Sequence, residues 1–166
     1  MLNIYRKIIE YLYLRLPDNI AFTDSMTGLL NRNWYEHIAL THTFKDYVYV
    51  TSIDIDNLKK VNDTYGHEFG DRMLISFSIS LKLKFPETPI IHVGGDEFVL
   101  ITKDDPTDVL IDMQRNLNFS AFRGCSIKSN FSFGTVLKAP DQCLKEALNK
   151  ADIMMFSNKK RRKITR

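Results

Sequence analysis

The sequence has few of the features that mark secreted, membrane or nucleic-acid-binding proteins. Only two cysteines occur among its 166 residues. Cys125 and Cys143 have no metal-ligand spacing, so reduced, buried and inert thiols in a cytoplasmic protein are expected. No apolar run approaches the ~20 residues that a transmembrane helix needs. The net charge is only +3 with both signs interspersed, which gives no reason to expect DNA or RNA as a partner.

What remains is the composition of a globular domain. Hydrophobic residues make up 44% of the chain and charged residues 26%, and the length is enough for one core. Residues 1–21 are predicted to form an amphipathic helix and a linker, and residues 22–166 the main domain. This helix is expected to dock on its own domain or on a second copy rather than on a membrane surface or another partner. Its apolar residues recur at three- and four-residue steps, at Leu2, Tyr5, Ile8, Ile9, Leu12 and Leu16.

The order of predicted elements indicates an α+β fold. A helix over 31–44 precedes a buried strand over 47–56, which is rich in β-branched and aromatic residues. Two helices and a hairpin follow, and the second of these helices is predicted to begin with Asp71 near its N-cap. The pattern βααββαβ predicts a ferredoxin-like palm, a sheet with packed helices. Its later elements are helices over 57–63 and 71–85, strands over 89–93 and 97–102, a helix over 104–119, a strand over 125–137 and a helix over 139–160.

Four carboxylates lie at positions where the predicted fold brings the ends of neighbouring strands together. Asp54 and Asp56 end the buried strand and share one face, while Asp96 and Glu97 follow Gly94–Gly95 at the hairpin tip. Hard oxygen ligands of this kind suit Mg²⁺ or Mn²⁺, and two such ions ~4 Å apart can promote an in-line phosphoryl displacement. The two glycines leave room for a phosphate against the backbone N–H groups. The alternative is a tight turn that carries solvated acids.

Five further motifs follow one another along the chain: "DSMTGLLNR" at 24–32, "DIDNLKKVNDTYGHEFGD" at 54–71, "GGDEF" at 94–98, "FSFG" at 131–134 and "NKADIMMFSNKK" at 149–160. In this order they resemble the motifs of the GGDEF domain family, the diguanylate cyclases. The resemblance covers roughly residue 22 to the C-terminus. It implies a domain that binds GTP as its substrate.

Members of that family join two GTP molecules into cyclic di-GMP and release pyrophosphate. The 3′-hydroxyl of each GTP attacks the α-phosphate of the other. The resemblance implies that Asp54, the Ile55 carbonyl and Asp96 hold two Mg²⁺ (or Mn²⁺) ions per active site. Glu97 is implied as a further ligand or as the acceptor of the 3′-hydroxyl proton, which makes Asp96 and Glu97 the catalytic pair. Because each site holds one GTP, a homodimer is expected at least transiently.

The substrate contacts are implied in the same way. Asn62 and Asp71 match guanine-binding positions, where a carboxylate can accept from N1–H and the exocyclic amine, a pair that adenine lacks. Lys59 and Lys159 match phosphate-binding lysines, and Lys163 stands where the family commonly has an arginine. Without the resemblance, Asn62 would be interpreted as part of a turn and Asp71 as a helix cap. The lysines would be interpreted as solvated surface charges.

The chain also departs from the family pattern. His92-Val93 stands where members commonly have arginine and an aromatic residue, and no role for His92 is predicted. The stretch "KFPETPIIHV" lacks the Arg-x-x-Asp of the family's product-inhibition site, so no feedback inhibition through that site is expected. Two alternative functions stay open. One is a minimal palm nucleotidyltransferase, like CRISPR-type polymerase palms, that makes another cyclic nucleotide for antiviral signalling. The other is a GTP-binding module without turnover.

Overall fold

The computed structural model describes residues 19–41, 48–117 and 130–164. Residues 1–18 of the predicted N-terminal helix lie outside this part, and Asn19–Phe22 form a 3₁₀ turn. The strands are β1 (Leu30–Asn31), β2 (Val48–Ile55), β3 (Ile90–Gly94), β4 (Glu97–Thr102) and β5 (Phe131–Lys138). The helices are α1 (Arg32–Thr41), α2 (Leu58–Tyr65), α3 (His67–Lys84), α4 (Thr107–Asn116) and α5 (Leu144–Ile164).

The strands form one mixed sheet in the order β1-β3-β4-β2-β5. β2 pairs antiparallel with both β4 and β5, β3 and β4 form an antiparallel hairpin, and β1 runs parallel to β3. Seven of the eight residues of β2 are buried, as expected for a β-branched run that is covered on both faces. The predicted α+β, ferredoxin-like arrangement is confirmed.

Helices cover both faces of this sheet. α2, α3 and α4 contribute to one hydrophobic cluster, together with Ile53 and Ile55 of β2. α1 and α5 contribute to the other, together with Val48 and Val50. Because side chains alternate along a strand, Asp54 shares the face of Val48 and Val50. Asp54 is therefore directed towards the layer that contains α5.

α3 begins at His67, four residues before the predicted start at Asp71. The prediction that this helix begins with Asp71 near its N-cap was wrong, because residues 67–70 are helical as well. Gly66, at φ 87°, separates α2 from α3, and the residues after it are helical. Gly70 is buried inside α3, at a point where a side chain would collide with Asn62 of α2. An interior glycine costs a helix only about 1 kcal/mol, and the close crossing of the two helices explains why it is tolerated.

The other predicted helices and strands are present with shifted bounds. Parts of four of them, at 42–44, 47, 118–119 and 125–129, lie outside the described residues. Within the described ranges, no helix combines the length and the apolar character that crossing a bilayer demands.

Candidate active site

Two strand ends meet at one edge of the sheet. Asp54 of β2 stands directly opposite Glu97 of β4 in the antiparallel register. Asp96 lies in the turn just before β4, and its carbonyl accepts a hydrogen bond from the Ile55 N–H at 2.9 Å. The pairing of β2 with β4 therefore brings the predicted carboxylates and Ile55 to the same edge.

The charges at this edge repel one another. Burial raises the pKa of Asp54, which is 9% exposed; the charge of Asp96 adds to that rise and Lys159 opposes it. Burial also raises the pKa of Glu97, with further contributions from the negative charges of Asp96, Asp152 and Asp54. Each carboxylate makes it harder for its neighbours to ionise, so a positive charge placed among them is stabilising.

α5 supplies positive charge to this edge. The Lys159 ammonium donates a short hydrogen bond to Asp54 Oδ1. Arg162 lies 3.8 Å from Asp56 Oδ2 and donates to the Phe131 carbonyl. Sequence reasoning assigned Lys159 to a phosphate and did not predict a role for Arg162. Their i, i+3 spacing was the available signal, because it places both residues on one helix face.

The turn that precedes β4 is open on its outer side. Gly94 has φ 142° and Gly95 has φ 59°, values in the left-handed region that favours glycine. Among the described residues, no atom beyond the adjacent residues of the chain lies within 4 Å of the position that a Cβ would take at either glycine. The backbone of the turn requires glycine, and the space in front of it is large enough for a ligand group to approach.

A second group of predicted residues lies where α2 crosses α3. Asn62 Oδ1 is buried and has no hydrogen-bond partner among the described residues, and a Cβ on Gly70 would lie 1.9 Å from it. A buried acceptor without a donor is uncommon and costly, which marks this amide as a candidate ligand contact. Asp71 and Lys59 are exposed nearby on the same two helices. Lys163 belongs to α5, but its side chain lies outside what the structure describes.

The N-terminal motif forms a turn beside β3. Asp24 Oδ1 accepts hydrogen bonds from the Thr27 N–H at 2.8 Å and from the Thr27 hydroxyl at 2.7 Å. Burial raises the pKa of Asp24, but the bonds from Thr27 and the proximity of His92 outweigh it and lower the pKa overall. Asp24 is therefore held as a carboxylate, next to the histidine for which no role was predicted.

The donor set fits a hard divalent cation by its chemistry. The carboxylates of Asp54, Asp96 and Glu97 and the Ile55 carbonyl are the oxygen ligands that Mg²⁺ and Mn²⁺ prefer. Among the described residues, no group of three His, Cys, Asp or Glu side chains is arranged so that it could hold a metal ion. Asp54 is instead neutralised by Lys159. A metal ion at Asp54 would therefore bind the other carboxylate oxygen, Oδ2, or replace the Lys159 ammonium at Oδ1.

Comparison with known proteins decides the family. A family profile described as "Diguanylate cyclase, GGDEF domain" matches residues 21–164. The chain belongs to the GGDEF domain family. The motifs that suggested the resemblance are thus parts of one continuous family match.

Curated relatives of this GGDEF domain are longer proteins. "Cyclic di-GMP phosphodiesterase PdeR" of Escherichia coli K12 is 38% identical over 95 residues, which cover 55% of this chain and 14% of the relative. "Diguanylate cyclase DgcP" of the same strain is 27% identical over 164 residues, 87% of this chain and 46% of the relative. The chain therefore spans less than half the length of either relative.

Solved structures show the same fold. The structure of diguanylate cyclase SiaD in complex with its activator SiaC, from Pseudomonas aeruginosa, matches with a TM-score of 0.74 at 24% identity, covering 96% of this chain and 65% of that one. The GGDEF domain of DgcB from Caulobacter crescentus, in complex with c-di-GMP, matches with a TM-score of 0.72 at 20% identity, covering 88% and 92%. At these identities the likeness concerns the fold.

Proposed function

We propose that this domain is a diguanylate cyclase, which condenses two GTP molecules into cyclic di-GMP and pyrophosphate. The observation that carries the proposal is the β2–β4 register, which sets Asp54 opposite Glu97 with Asp96 in the adjoining turn. A binding module without turnover has no need of three carboxylates at one edge. Membership of a family described by this activity, and relatives named diguanylate cyclase, support the same conclusion.

The reaction is a phosphoryl transfer without a covalent enzyme intermediate. The 3′-hydroxyl of each GTP loses its proton and its oxygen forms a bond to the α-phosphorus of the other GTP, while the bond from that phosphorus to the bridging oxygen breaks. The two transfers together release two pyrophosphates. Two Mg²⁺ or Mn²⁺ ions, held by Asp54, the Ile55 carbonyl and Asp96, would supply the charge that stabilises the attacking and leaving oxygens. The chain's own task is to hold these oxygen ligands at one edge and to bind the nucleotide.

Glu97 is the candidate acceptor for the 3′-hydroxyl proton. Burial and the charges of Asp96, Asp152 and Asp54 raise its pKa, so it is a stronger base than an isolated glutamate. Lys159 neutralises Asp54 in the described structure. In the proposed complex its ammonium binds the triphosphate, whose negative charge attracts it.

Guanine and phosphate binding are assigned to the neighbouring helices. The unpaired Asn62 Oδ1 needs a donor, and the N1–H and exocyclic amine of guanine are donors. Asp71 is exposed beside it and supplies a carboxylate for the same base edge. Lys59 and Lys163 are the remaining phosphate contacts, and the open backbone at Gly94–Gly95 receives the phosphates. Two copies of the chain must face each other for the reaction, so the active species is a homodimer.

The test is incubation of the purified chain with Mg²⁺ and each nucleoside triphosphate alone, with the products resolved by mass. Cyclic di-GMP from GTP only is expected, with a rate per molecule that rises with protein concentration and is lost when EDTA removes the metal. An adenine-containing product would instead indicate the palm nucleotidyltransferase with a different base. GTP binding without any product would indicate a module without turnover.

Gly70→Ala is expected to weaken GTP binding without unfolding the domain. The new Cβ would lie 1.9 Å from Asn62 Oδ1 and displace the amide, while alanine improves the propensity of α3. Loss of one base contact worth about 1.4 kcal/mol raises KM for GTP about tenfold. The measurement is KM together with the thermal midpoint, and Ser76→Ala on the exposed face of the same helix is the control. A KM within twofold of the wild type would contradict the role of Asn62.

A further inference from the structure

His92 of β3 is a buried side chain whose two ring nitrogens both face oxygen atoms. Only 6% of the residue is exposed. Nε2 lies 3.1 Å from the Gly95 carbonyl oxygen, and Nδ1 lies 3.2 Å from Asp24 Oδ1. The ring also stacks on Phe98, with centroids 4.8 Å apart and planes at 25°. His92 thus connects the N-terminal motif to the turn that carries Asp96.

The chemistry of these two partners restricts the protonation of the ring. A carbonyl oxygen only accepts, so Nε2 must carry a proton to bind Gly95. A neutral ring would then direct the lone pair of Nδ1 at the carboxylate of Asp24. Asp24 Oδ1 already accepts two hydrogen bonds from Thr27 and is ionised, so it also offers only acceptors. Nδ1 lies 3.2 Å from this carboxylate but makes no regular hydrogen bond within the described part of the chain, so its contact with Asp24 is one of proximity.

The glycine turn needs such a restraint. Neither Gly94 nor Gly95 has side-chain packing, because neither has a side chain and the space beside each Cα is open. Two consecutive carbonyls are nevertheless held from opposite sides. The Gly95 carbonyl is bound to His92, and the Asp96 carbonyl is bound to the Ile55 N–H at 2.9 Å.

We propose that His92 is a positioning residue that clamps the turn before β4 to Asp24 and thereby fixes Asp96. Asp24 is the charged group that faces the ring; its register partners on β1 and β4, Asn31 and Phe98, are uncharged. The clamp itself is a property of the folded chain. Its effect on the rate rests on the proposed cyclase function, because that function gives Asp96 its role.

The kinetic test uses His92→Phe, which keeps an aromatic ring against Phe98 and removes both polar contacts. Because Asp96 is then less well positioned, kcat is expected to fall by between about tenfold and a hundredfold. KM for GTP is expected to change by less than about threefold. Asp24→Asn keeps an oxygen for Thr27 and removes the charge that faces His92. The double variant is expected to be no slower than His92→Phe alone, because both changes break one clamp. If the double variant loses as much kcat as the product of the two single losses, the proposal is overturned. An unchanged kcat in His92→Phe would overturn it as well.

A second measurement needs no GTP and no activity. Nitrogen-15 spectra of the backbone amides are compared between the wild type, His92→Phe and His37→Phe, which is the control on α1. The backbone amide signals of Gly95 and Asp96 are expected to move in His92→Phe and to stay in place in His37→Phe. Unmoved turn signals in His92→Phe would overturn the clamp. If the clamp signals are present in a chain that makes no cyclic di-GMP, only the proposed function fails.

Discussion

Asp96→Asn is expected to lower cyclic di-GMP synthesis by about a thousandfold or more and to leave the domain folded. The substitution keeps the size of the side chain and the Asp96 carbonyl, whose hydrogen bond from the Ile55 N–H therefore remains. It removes one of the oxygen ligands assigned to the metal ions. The amide oxygen that replaces it carries no charge, so the developing negative charge on the reacting phosphate loses part of its compensation.

The stability of the same variant separates a chemical effect from unfolding. The negative charge of Asp96 adds to the raised pKa values of Asp54 and Glu97, so its removal relieves repulsion at the edge of the sheet. Without divalent cations, the thermal midpoint of Asp96→Asn is therefore expected to equal or exceed that of the wild type. Sites that concentrate charge for catalysis commonly show this exchange between stability and activity.

The matched control is Asp104→Asn, an exposed carboxylate just beyond the opposite end of β4. It changes the net charge of the protein equally and is expected to keep the rate of the wild type. The measurement is the rate of product formation by mass, at a GTP concentration well above KM, beside the thermal midpoint. Asp96→Asn with more than about a tenth of the wild-type rate would contradict the role given to Asp96.

The central part of the site could be predicted because local signals and pairing agree there. β2 is a run of β-branched and apolar residues, and Gly94–Gly95 can only be a turn between two such runs. Antiparallel pairing of the hairpin with β2 then brings Asp54 and Glu97 together without further information. The family motif adds the roles of these carboxylates, which geometry alone leaves open.

Other features depend on contacts between distant parts of the chain. β1 contains only two residues and exists because Leu30 and Asn31 pair with β3, so it has no periodicity to detect. The start of α3 was predicted wrongly because glycine disfavours a helix interior. Gly70 is explained only by the close crossing of α3 with Asn62 of α2, which the local sequence does not reveal. The Lys159–Asp54 ion pair joins residues 105 positions apart, and His92 depends on Asp24. No local pattern contains any of these contacts.

Gly134→Ala is expected to destabilise the domain by about 3 kcal/mol, and Gly134→Val by more. A Cβ at Gly134 of β5 would lie 2.3 Å from both the Ala151 carbonyl oxygen and the Met155 nitrogen of α5. These two atoms are backbone, four residues apart, and cannot yield by a change of rotamer. α5 would have to move away from the sheet. Leu137→Thr, half-exposed in the same strand, is the control and is expected to cost less than about 1 kcal/mol.

Gly134→Ala is also expected to lower activity, because a shift of α5 would move Lys159 in the active site. Ala151, Met155 and Lys159 follow one another at four-residue steps and so share one helix face. The close approach at Gly134 therefore sets how near Lys159 comes to Asp54. Urea unfolding should show a lower midpoint for Gly134→Ala with an unchanged slope, and the folded variant should lose activity. Adding Lys159→Met to it should then reduce the rate less than it does in the wild type. Equal reductions in both backgrounds, or an unchanged midpoint, would show that the packing at Gly134 does not position Lys159.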